Sequence, residues 1–517
     1  MTEIELKFLL DEAGEAALRA SPALKRLGKG AGRRRKLRSI YFDTPEGDLR
    51  ARGFALRLRK VGRGWVQTVK AGGHASGAGL FSMREAETPA PGGRLDLDLV
   101  PDAGLREALR EALGDAPLNP IFETRIDRTE RVLTTPEGEV ELAIDVGEVL
   151  AGERRAAFRE AELELKSGAP GAIYAVARAL FETVPARFSE MSKAGRGHAL
   201  TAGLPALPPV EPRRARKPAL DPAETTEAAA ARILRECLAQ IDANAAAVLE
   251  RDDPAGPHQL RVGLRRVRSA LSLFGPALAG PKAEALSAAA RELAAAAGDL
   301  RDLDVLATEI LGPAAARAPA DAAGFEALAE SVAARRIEAR ARLRETLAGP
   351  QARRLLIDLS AFVELRGWLR PTDLAQTAQL ARPVGETAAA ALGKRWKKVR
   401  RQARDLESLD VEARHELRKQ LKKLRYGVDF FGPMWPEETA APYAKALRKL
   451  QNVFGSLNDI AMAEARLSGE DAPCADHPAA QRAIGRMLGR MEMTAEADWT
   501  RALARWQALE ALKPFWK

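Results

Sequence analysis

The opening residues, MTEIELKFLL, alternate: Ile4, Leu6 and Phe8 fall on one side of an extended strand, and Glu3, Glu5 and Lys7 fall on the other. The same alternation returns far downstream, where Glu160, Glu162, Glu164 and Lys166 interleave with Ala161, Leu163 and Leu165. Residues 55–60, 65–70, 139–145 and 160–166 read as strands, and residues 105–113 and 173–181 as helices, with Gly and Pro turns between them. Near residue 205 the character changes. Pro205, Pro208, Pro209, Pro212, Pro218 and Pro222 mark a linker, after which Ala, Leu, Arg and Glu recur at helical spacing almost to the end. The chain therefore divides into a strand-rich domain over 1–203, a Pro-rich linker over 204–222 and a helical domain over 223–512.

The second half repeats itself. His258-Gln-Leu-Arg261 returns as His415-Glu-Leu-Arg418, and in the same gapless register Leu264 matches Leu421, Arg268 matches Arg425, and Phe274-Gly-Pro276 matches Phe431-Gly-Pro433. Gly298 and Asp302 match Gly455 and Asp459. Such a register predicts two similar helical bundles related by a pseudo-twofold axis. The expected fold class is thus α+β multidomain: an N-terminal antiparallel barrel, then an all-α domain of two pseudo-symmetric bundles.

A chain of 517 residues is too long for one core, and its net charge of +10 favours polyanionic partners. An aromatic content of 5% disfavours a stacking platform for single-stranded nucleic acid. Cys237 and Cys474 lie too far apart in sequence to suggest a disulfide framework or a zinc site, which fits a reducing cytoplasm. No secretory signal is visible, and no apolar run reaches the roughly 18 residues a membrane span needs.

The strand-rich half gathers charges on single strand faces. Arg57 and Arg59 share a face, as do Thr68 and Lys70, and as do Glu139, Glu141 and Asp145. Glu85 and Glu87, Arg125 and Arg128, and Ser189 with Lys193 complete the set. Carboxylates suit a hard divalent cation such as Mg²⁺ or Mn²⁺, and guanidinium forks and ammonium groups suit phosphate oxygens. A solvated sheet face explains one such strand; it does not explain acids at both ends of the region with bases between them.

The residues Glu3-x-Glu5-x-Lys7, Tyr41-Phe42-Asp43-Thr44, Leu56-Arg57-Leu58-Arg59, Thr68-x-Lys70 and Glu162-x-Glu164 resemble the CYTH family of triphosphate tunnel metalloenzymes. The resemblance implies an eight-stranded antiparallel tunnel that binds a triphosphate and hydrolyses its terminal anhydride with a divalent metal. On it, Glu3, Glu5, Glu162 and Glu164, joined by Asp145, would hold Mg²⁺ or Mn²⁺. Lys7, Arg57, Arg59, Lys70, Arg125 and Lys193 would grip phosphates. Glu5 and Glu164 would take the water's proton, with Lys7 beside them.

In the helical half, His258, Arg261, Arg265 and Arg268 form one stripe at three- and four-residue steps. His415, Arg418, Lys422 and Arg425 form its copy, widened by Lys419 and Lys423. A linear polyanion suits such stripes. No third His or Cys accompanies the two His to make a metal site, and His74, His198 and His477 have no comparable context. The pattern resembles the CHAD domain, a helical domain associated with polyphosphate. The run Arg33–Arg38 reads as a loop ahead of a strand at Ile40, with an electrostatic lip to the tunnel as the alternative.

These readings converge on an inorganic triphosphatase tethered to polyphosphate, cytoplasmic and associated with polyphosphate granules. An adenylate cyclase or a nucleoside or thiamine triphosphatase on the same barrel stays open, as does a non-catalytic polyphosphate adaptor. Nucleic-acid binding through the stripes is disfavoured against polyphosphate.

Overall fold

A computed structural model describes residues 2–72, 79–469 and 472–517. The chain forms two compact units: Met1–Glu211 with Ala348–Ala361, and Pro212–Leu347 with Phe362–Lys517.

The first unit is built on β1 (Thr2–Leu9), β2 (Arg33–Asp43), β3 (Phe54–Val61), β4 (Gly64–Ala71), β5 (Leu80–Pro89), β6 (Asn119–Thr135), β7 (Gly138–Ala151) and β8 (Arg154–Gly168). They pair antiparallel in the ring order β5-β4-β3-β2-β6-β7-β8-β1, and β1 closes the ring by pairing with β5 as well. The first half of β1 lies against β5, with Glu3 opposite Met83. Its second half lies against β8, with Glu5 opposite Glu164 and Lys7 opposite Glu162. A two-residue β9 (Arg187–Phe188) adds to the end of β1. Closure removes the sheet edges and divides every strand into an inner and an outer face.

The helices of this unit are α1 (Glu12–Ala20), α2 (Pro22–Leu27), α3 (Asp48–Ala51), α4 (Ala103–Leu113), α5 (Gly171–Phe181) and α6 (Lys193–Thr201). On the outer face of β1, Leu6 is fully buried, and the Phe8 ring stacks on Phe181 of α5 at 4.0 Å and on Phe188 at 5.1 Å. Tyr41 stacks on Phe122 at 4.5 Å. Asp43 is buried and accepts bonds from the Thr44, Leu49 and Arg50 amides, so its part in the Tyr41–Thr44 motif is to cap the turn into α3.

The basic run Arg33–Arg38 is not a loop. It is the first half of β2, laddered onto β6, where Arg35 pairs with Glu130 at 3.0 Å and Arg38 with Glu123 at 2.7 Å. Cross-strand acids neutralise the run, which lets it extend.

The second unit contains α7 (Thr226–Glu250), α8 (Ala255–Leu273), α9 (Gly275–Leu278), α10 (Pro281–Val305), α11 (Gly312–Arg317) and α12 (Ala322–Ala348). After α13 (Pro350–Glu364), most of which groups with the first unit, and α14 (Leu374–Ala381) come α15 (Val384–Gln402), α16 (Val411–Phe431), α17 (Glu437–Ser468) and α18 (Pro478–Glu510). The order α7, α8, α10, α12 is repeated by α15, α16, α17, α18, as the sequence register requires. The copies meet at matching places: the rings of the equivalent Phe274 and Phe431 touch edge-on at 5.5 Å, and Thr225 bridges to Pro383, one position off the repeat register, at the starts of α7 and α15.

The end of the Pro-rich stretch belongs to this unit. The Arg213 amide donates to Asn244 Oδ1 at 3.1 Å, Asn244 returns a bond to the Arg213 carbonyl at 2.9 Å, and Arg266 donates to the Arg216 carbonyl at 3.0 Å. His74 lies outside the described residues.

Candidate functional site: a charged lumen and a cationic cleft

Strand alternation turns Glu3, Glu5 and Lys7 (β1), Arg57 and Arg59 (β3), Lys70 (β4), Glu85 and Glu87 (β5), Arg128 (β6), Glu141 and Asp145 (β7), and Glu160, Glu162 and Glu164 (β8) into the barrel. Lys193, at the start of α6, reaches the same space. A cation at a helix N-terminus opposes the macrodipole, so its place is set by carboxylates. It contacts Asp145 at 2.7 Å, Glu162 at 2.8 Å, and Glu160.

Asp145, Glu160 and Glu162 form a buried group with one oxygen from each within 4.8 Å of the others. Arg128 grips Asp145 with two bonds, at 2.7 and 2.6 Å, and reaches Glu162 at 2.7 Å. Lys7 donates to Glu162, and Arg196, wholly buried, faces Glu160 at 2.5 Å. The ion-pair contacts to Glu160 lack hydrogen-bond geometry, so charge rather than bonding holds it. Burial alone would raise the Glu162 carboxyl, but Lys193, Lys7 and Arg128 hold it well below the usual range. Burial would likewise lower Lys7, and Glu162 and Glu5 outweigh it and keep the ammonium protonated. This inner lattice is close to self-neutralised.

Nearer the ends of β1 and β8 the balance shifts to acid. Burial raises the Glu5 carboxyl, and Glu162 and Glu3 add to this against the opposing pull of Lys7. Burial also raises Glu164, with Glu3 and Glu141 adding to it and Lys166 opposing. Glu3 is paired with Lys70 at 2.5 Å and Glu164 with Lys166 at 2.7 Å.

On β3 the balance shifts to base. Arg59 is pushed down to about 10 by burial and then by Arg57 and Arg128, and its Nε donates to Ser39 at 3.2 Å. Among the described residues no carboxylate lies within 4 Å of it. Arg57 reaches Glu87 at 3.5 Å and Glu85 at 3.6 Å, with its buried Nε unbonded. The lumen therefore holds separated surpluses, acidic along β1 and β8 and basic at Arg59.

Arg125 is not brought to this space. It lies on the outer face of β6, its side chain 59% exposed, and donates to Glu123 at 2.7 Å. The period-two alternation that turns Thr124 and Arg128 inward turns Arg125 outward, and Arg128 holds the inward position. Glu160 and Arg196 were the residues the sequence undervalued. Glu160 belongs to the recognised strand alternation, and Arg196 sits one helical turn after Lys193, a spacing that would have exposed it.

In the helical unit the two stripes converge. Arg418 is lowered to about 10 by burial, which Asp459 opposes and Arg265 and Arg261 of the facing helix reinforce. Lys422 is pushed down to about 6, first by burial and then by Arg265, Arg418, Arg261 and Arg425. His258 is lowered to about 4 by burial, Arg301 and Arg265, which leaves it neutral near pH 7. Arg261 pairs with Asp302 at 3.1 Å, and Arg425 with Asp429 at 3.7 Å. Buried Nε atoms of Arg265, Arg268, Arg418 and Arg425 have no hydrogen-bond partner. Lys419 turns out of the cleft, half exposed and paired with Glu416 at 2.6 Å, and His415 is exposed where His258 is half-buried. His198 packs edge-on against Phe122, and His477 caps α18 through the Ala480 amide.

A closed antiparallel barrel with a charged lumen, followed by a duplicated helical unit, defines a two-domain class. A family model of the CYTH domain matches residues 1–197, and a family model of the CHAD domain matches residues 232–468. The chain is a CYTH domain followed by a CHAD domain. An inorganic triphosphatase of Haemophilus influenzae is 31% identical over 165 residues, 32% of this chain and 46% of that protein, so the chain spans about half of this relative's length. The CHAD domain from the plant Ricinus communis is 30% identical, covering 59% of this chain and 98% of its own, with a TM-score of 0.50. A putative adenylyl cyclase from Hippeastrum, described with a dominant triphosphatase activity, is 20% identical over 40% of this chain and 99% of its own, with a TM-score of 0.29. Among the described residues no helix is long and apolar enough to cross a membrane.

The inner lattice yields a stability test. Glu160→Gln leaves the wholly buried Arg196 without its counter-charge, and the barrel should lose about 3–5 kcal/mol. Denaturant unfolding followed by hydrogen exchange of the β6–β8 amides checks this, and an unchanged midpoint would refute the pairing.

Proposed function

We propose that the barrel hydrolyses the terminal phosphoanhydride of inorganic triphosphate with a divalent metal, and that the helical cleft binds polyphosphate. The carrying observation is the uneven charge of the lumen. Acids in surplus on β1 and β8 are relieved by a divalent cation, and a basic surplus at Arg59, with Arg57 beside it, is relieved by a polyanion.

Glu3, Glu5 and Glu164 are all-oxygen donors that fit Mg²⁺ or Mn²⁺ better than a softer ion. Each of them is met by a single lysine, whereas Asp145, Glu160 and Glu162 are each met by two or three bases, so the outer three are the better holders. A metal held there would neutralise phosphate charge and acidify a bound water. Arg57, Arg59, Arg128 and Lys70 would grip phosphate oxygens, and Lys7 and Lys193, kept protonated, would donate rather than accept. Glu164 and Glu5, raised above ordinary carboxylates, are suited to take the water's proton. The Lys7 ammonium, 2.8 Å from Glu5, would hold that carboxylate in position. Positioning and charge neutralisation carry most of phosphoryl transfer, and the lumen supplies both. The name of the Haemophilus influenzae relative supports this substrate class over a cyclase.

Two measurements follow. Phosphate release from tripolyphosphate should require Mg²⁺ or Mn²⁺ and fall about a hundredfold or more in Glu3→Ala/Glu5→Ala; no release from the intact chain would leave a polyphosphate adaptor. In the cleft, Lys422 has a folded pKa of about 6 against an unfolded value of about 10.4. Folding therefore releases its proton between those values, so stability rises with pH across this window, and a bound polyanion should return the proton. Polyphosphate binding near pH 8 should take up protons, read by calorimetry in buffers of different ionisation enthalpy, and weaken as pH rises from 6. Lys422→Met should remove most of the uptake; uptake unchanged in that variant would refute the role of Lys422.

A further inference from the structure

Helix α15 breaks the symmetry of the helical unit. Its counterpart α7 has no lysine or arginine after Arg235, and there Gln240 and Asn244 are fully buried, with residues 213–216 laid over them. In α15 six of the eight positions from Lys394 to Arg401 are Lys or Arg, and Lys394, Lys397, Arg400 and Arg401 are exposed. They line a groove of about 1320 Å³ to which nine cationic side chains contribute, with Glu510 as the one acid among its described lining residues. Arg400 pairs with Glu510 at 3.0 Å, and among the described residues no ion pair reaches Lys394, Lys397, Lys398 or Arg401. Like charges at three- and four-residue steps cost a helix about 0.2–0.5 kcal/mol each. A solvated helix face normally intersperses acids, and this stretch has none.

We propose that the α15 groove is a second polyanion-binding site, an extension of the α8–α16 cleft that takes the onward run of a linear polyphosphate too long for the cleft alone. The inference rests on the polyphosphate reading of that cleft. Continuity comes from one contact and one electrostatic influence. Arg395 Nη2 donates to Ser272 Oγ at 2.5 Å, and Ser272 lies one turn beyond Arg268, the last cation of the α8 stripe. Lys423, next to Lys422 of the facing stripe, is lowered by burial and then by Arg395 and Lys398, with Arg268 acting in the same direction. The path thus leads from Arg265 and Lys422 past Arg268 and Lys423 to Arg395 and Lys398. From Lys394 to Arg401 the helix adds about 10 Å to it. A phosphate chain suits this groove better than a base-bearing one, because Trp396 and Trp506 in its wall are buried and offer no stacking face.

The test measures binding of short-chain and long-chain polyphosphate to the full chain in EDTA, which withholds metal from the tunnel. It compares the intact protein with Lys394→Gln/Lys397→Gln/Lys398→Gln/Arg401→Gln over a salt series. Removing mutually repelling cations, three of them exposed and Lys398 half-buried, leaves the fold intact, and an unchanged or raised Tm verifies this. The expected result is unchanged short-chain affinity, with long-chain affinity about tenfold or more weaker and the salt slope shallower by about three. Equal long-chain affinity and slope in both proteins would overturn the extension while leaving the cleft reading intact. Equal loss for both chain lengths would also overturn it, by making α15 part of one undivided site. Failure of the intact protein to bind polyphosphate at all would instead overturn the cleft reading beneath it. Tighter binding of the intact protein to duplex DNA than to polyphosphate at matched salt would overturn the choice of ligand.

Discussion

The cost of taking charge out of water governs the barrel. Glu5, Lys7, Asp145, Glu160, Glu162, Lys193 and Arg196 are all buried, and an ion in such a place is tolerated only when its field is answered. The inner lattice answers most of it internally: two Arg–carboxylate bonds join Arg128 to Asp145, Lys193 is shared by three acids, and Glu160 faces Arg196. What the lattice leaves over is separated in space, acid along β1 and β8 and base on β3. That separation is the chemical character of the tunnel. A ring of strands with period-two alternation is the simplest way to aim so many ions at one enclosed space while keeping Leu6, Phe8 and Phe181 in an ordinary apolar layer outside it.

The helical unit uses the same physics in a more open setting. Duplication brings two stripes face to face, so each cation is crowded by its own helix and by its copy, and burial, with this crowding added, pushes the Lys422 ammonium down to about 6. Asp302 and Asp459 each moderate one stripe without cancelling it. The copies then diverge. The first lays residues 213–216 over α7 and buries amides there; the second leaves the corresponding face of α15 open and cationic. Symmetry explains the cleft, and its breakage explains why one side of it continues.

Much of this was legible in the chain. Alternation on β1 and β8 gave the acids of the lumen because one barrel face must be polar if the other packs on helices, and the gapless register of the repeat gave paired helices. Three features were not legible. The Arg33–Arg38 run extends as a strand because Glu123 and Glu130 lie across from it, a pairing set by tertiary register. The placing of Arg125 and Arg128, by contrast, was legible: they differ by three residues and therefore by strand face, as alternation dictates. The α15 cations were passed over because a basic helix looks like any solvated one until its neighbours are known; the missing acids nearby become visible only when Ser272, Trp506 and Glu510 are in place. The division of the carboxylates into an inner group shared among several bases and an outer group with one lysine each is likewise a property of distances, with no trace in spacing.

The central claim is that the lumen's two charge surpluses are a metal site and a phosphate site sharing one tunnel. Anomalous diffraction from crystals soaked with Mn²⁺ and tripolyphosphate measures this directly. The expected result is a manganese peak among Glu3, Glu5 and Glu164, with phosphate density running toward Arg57 and Arg59. Manganese and phosphate found elsewhere, with the lumen still closed by the ion pairs of Lys7, Lys70 and Lys193, would contradict it.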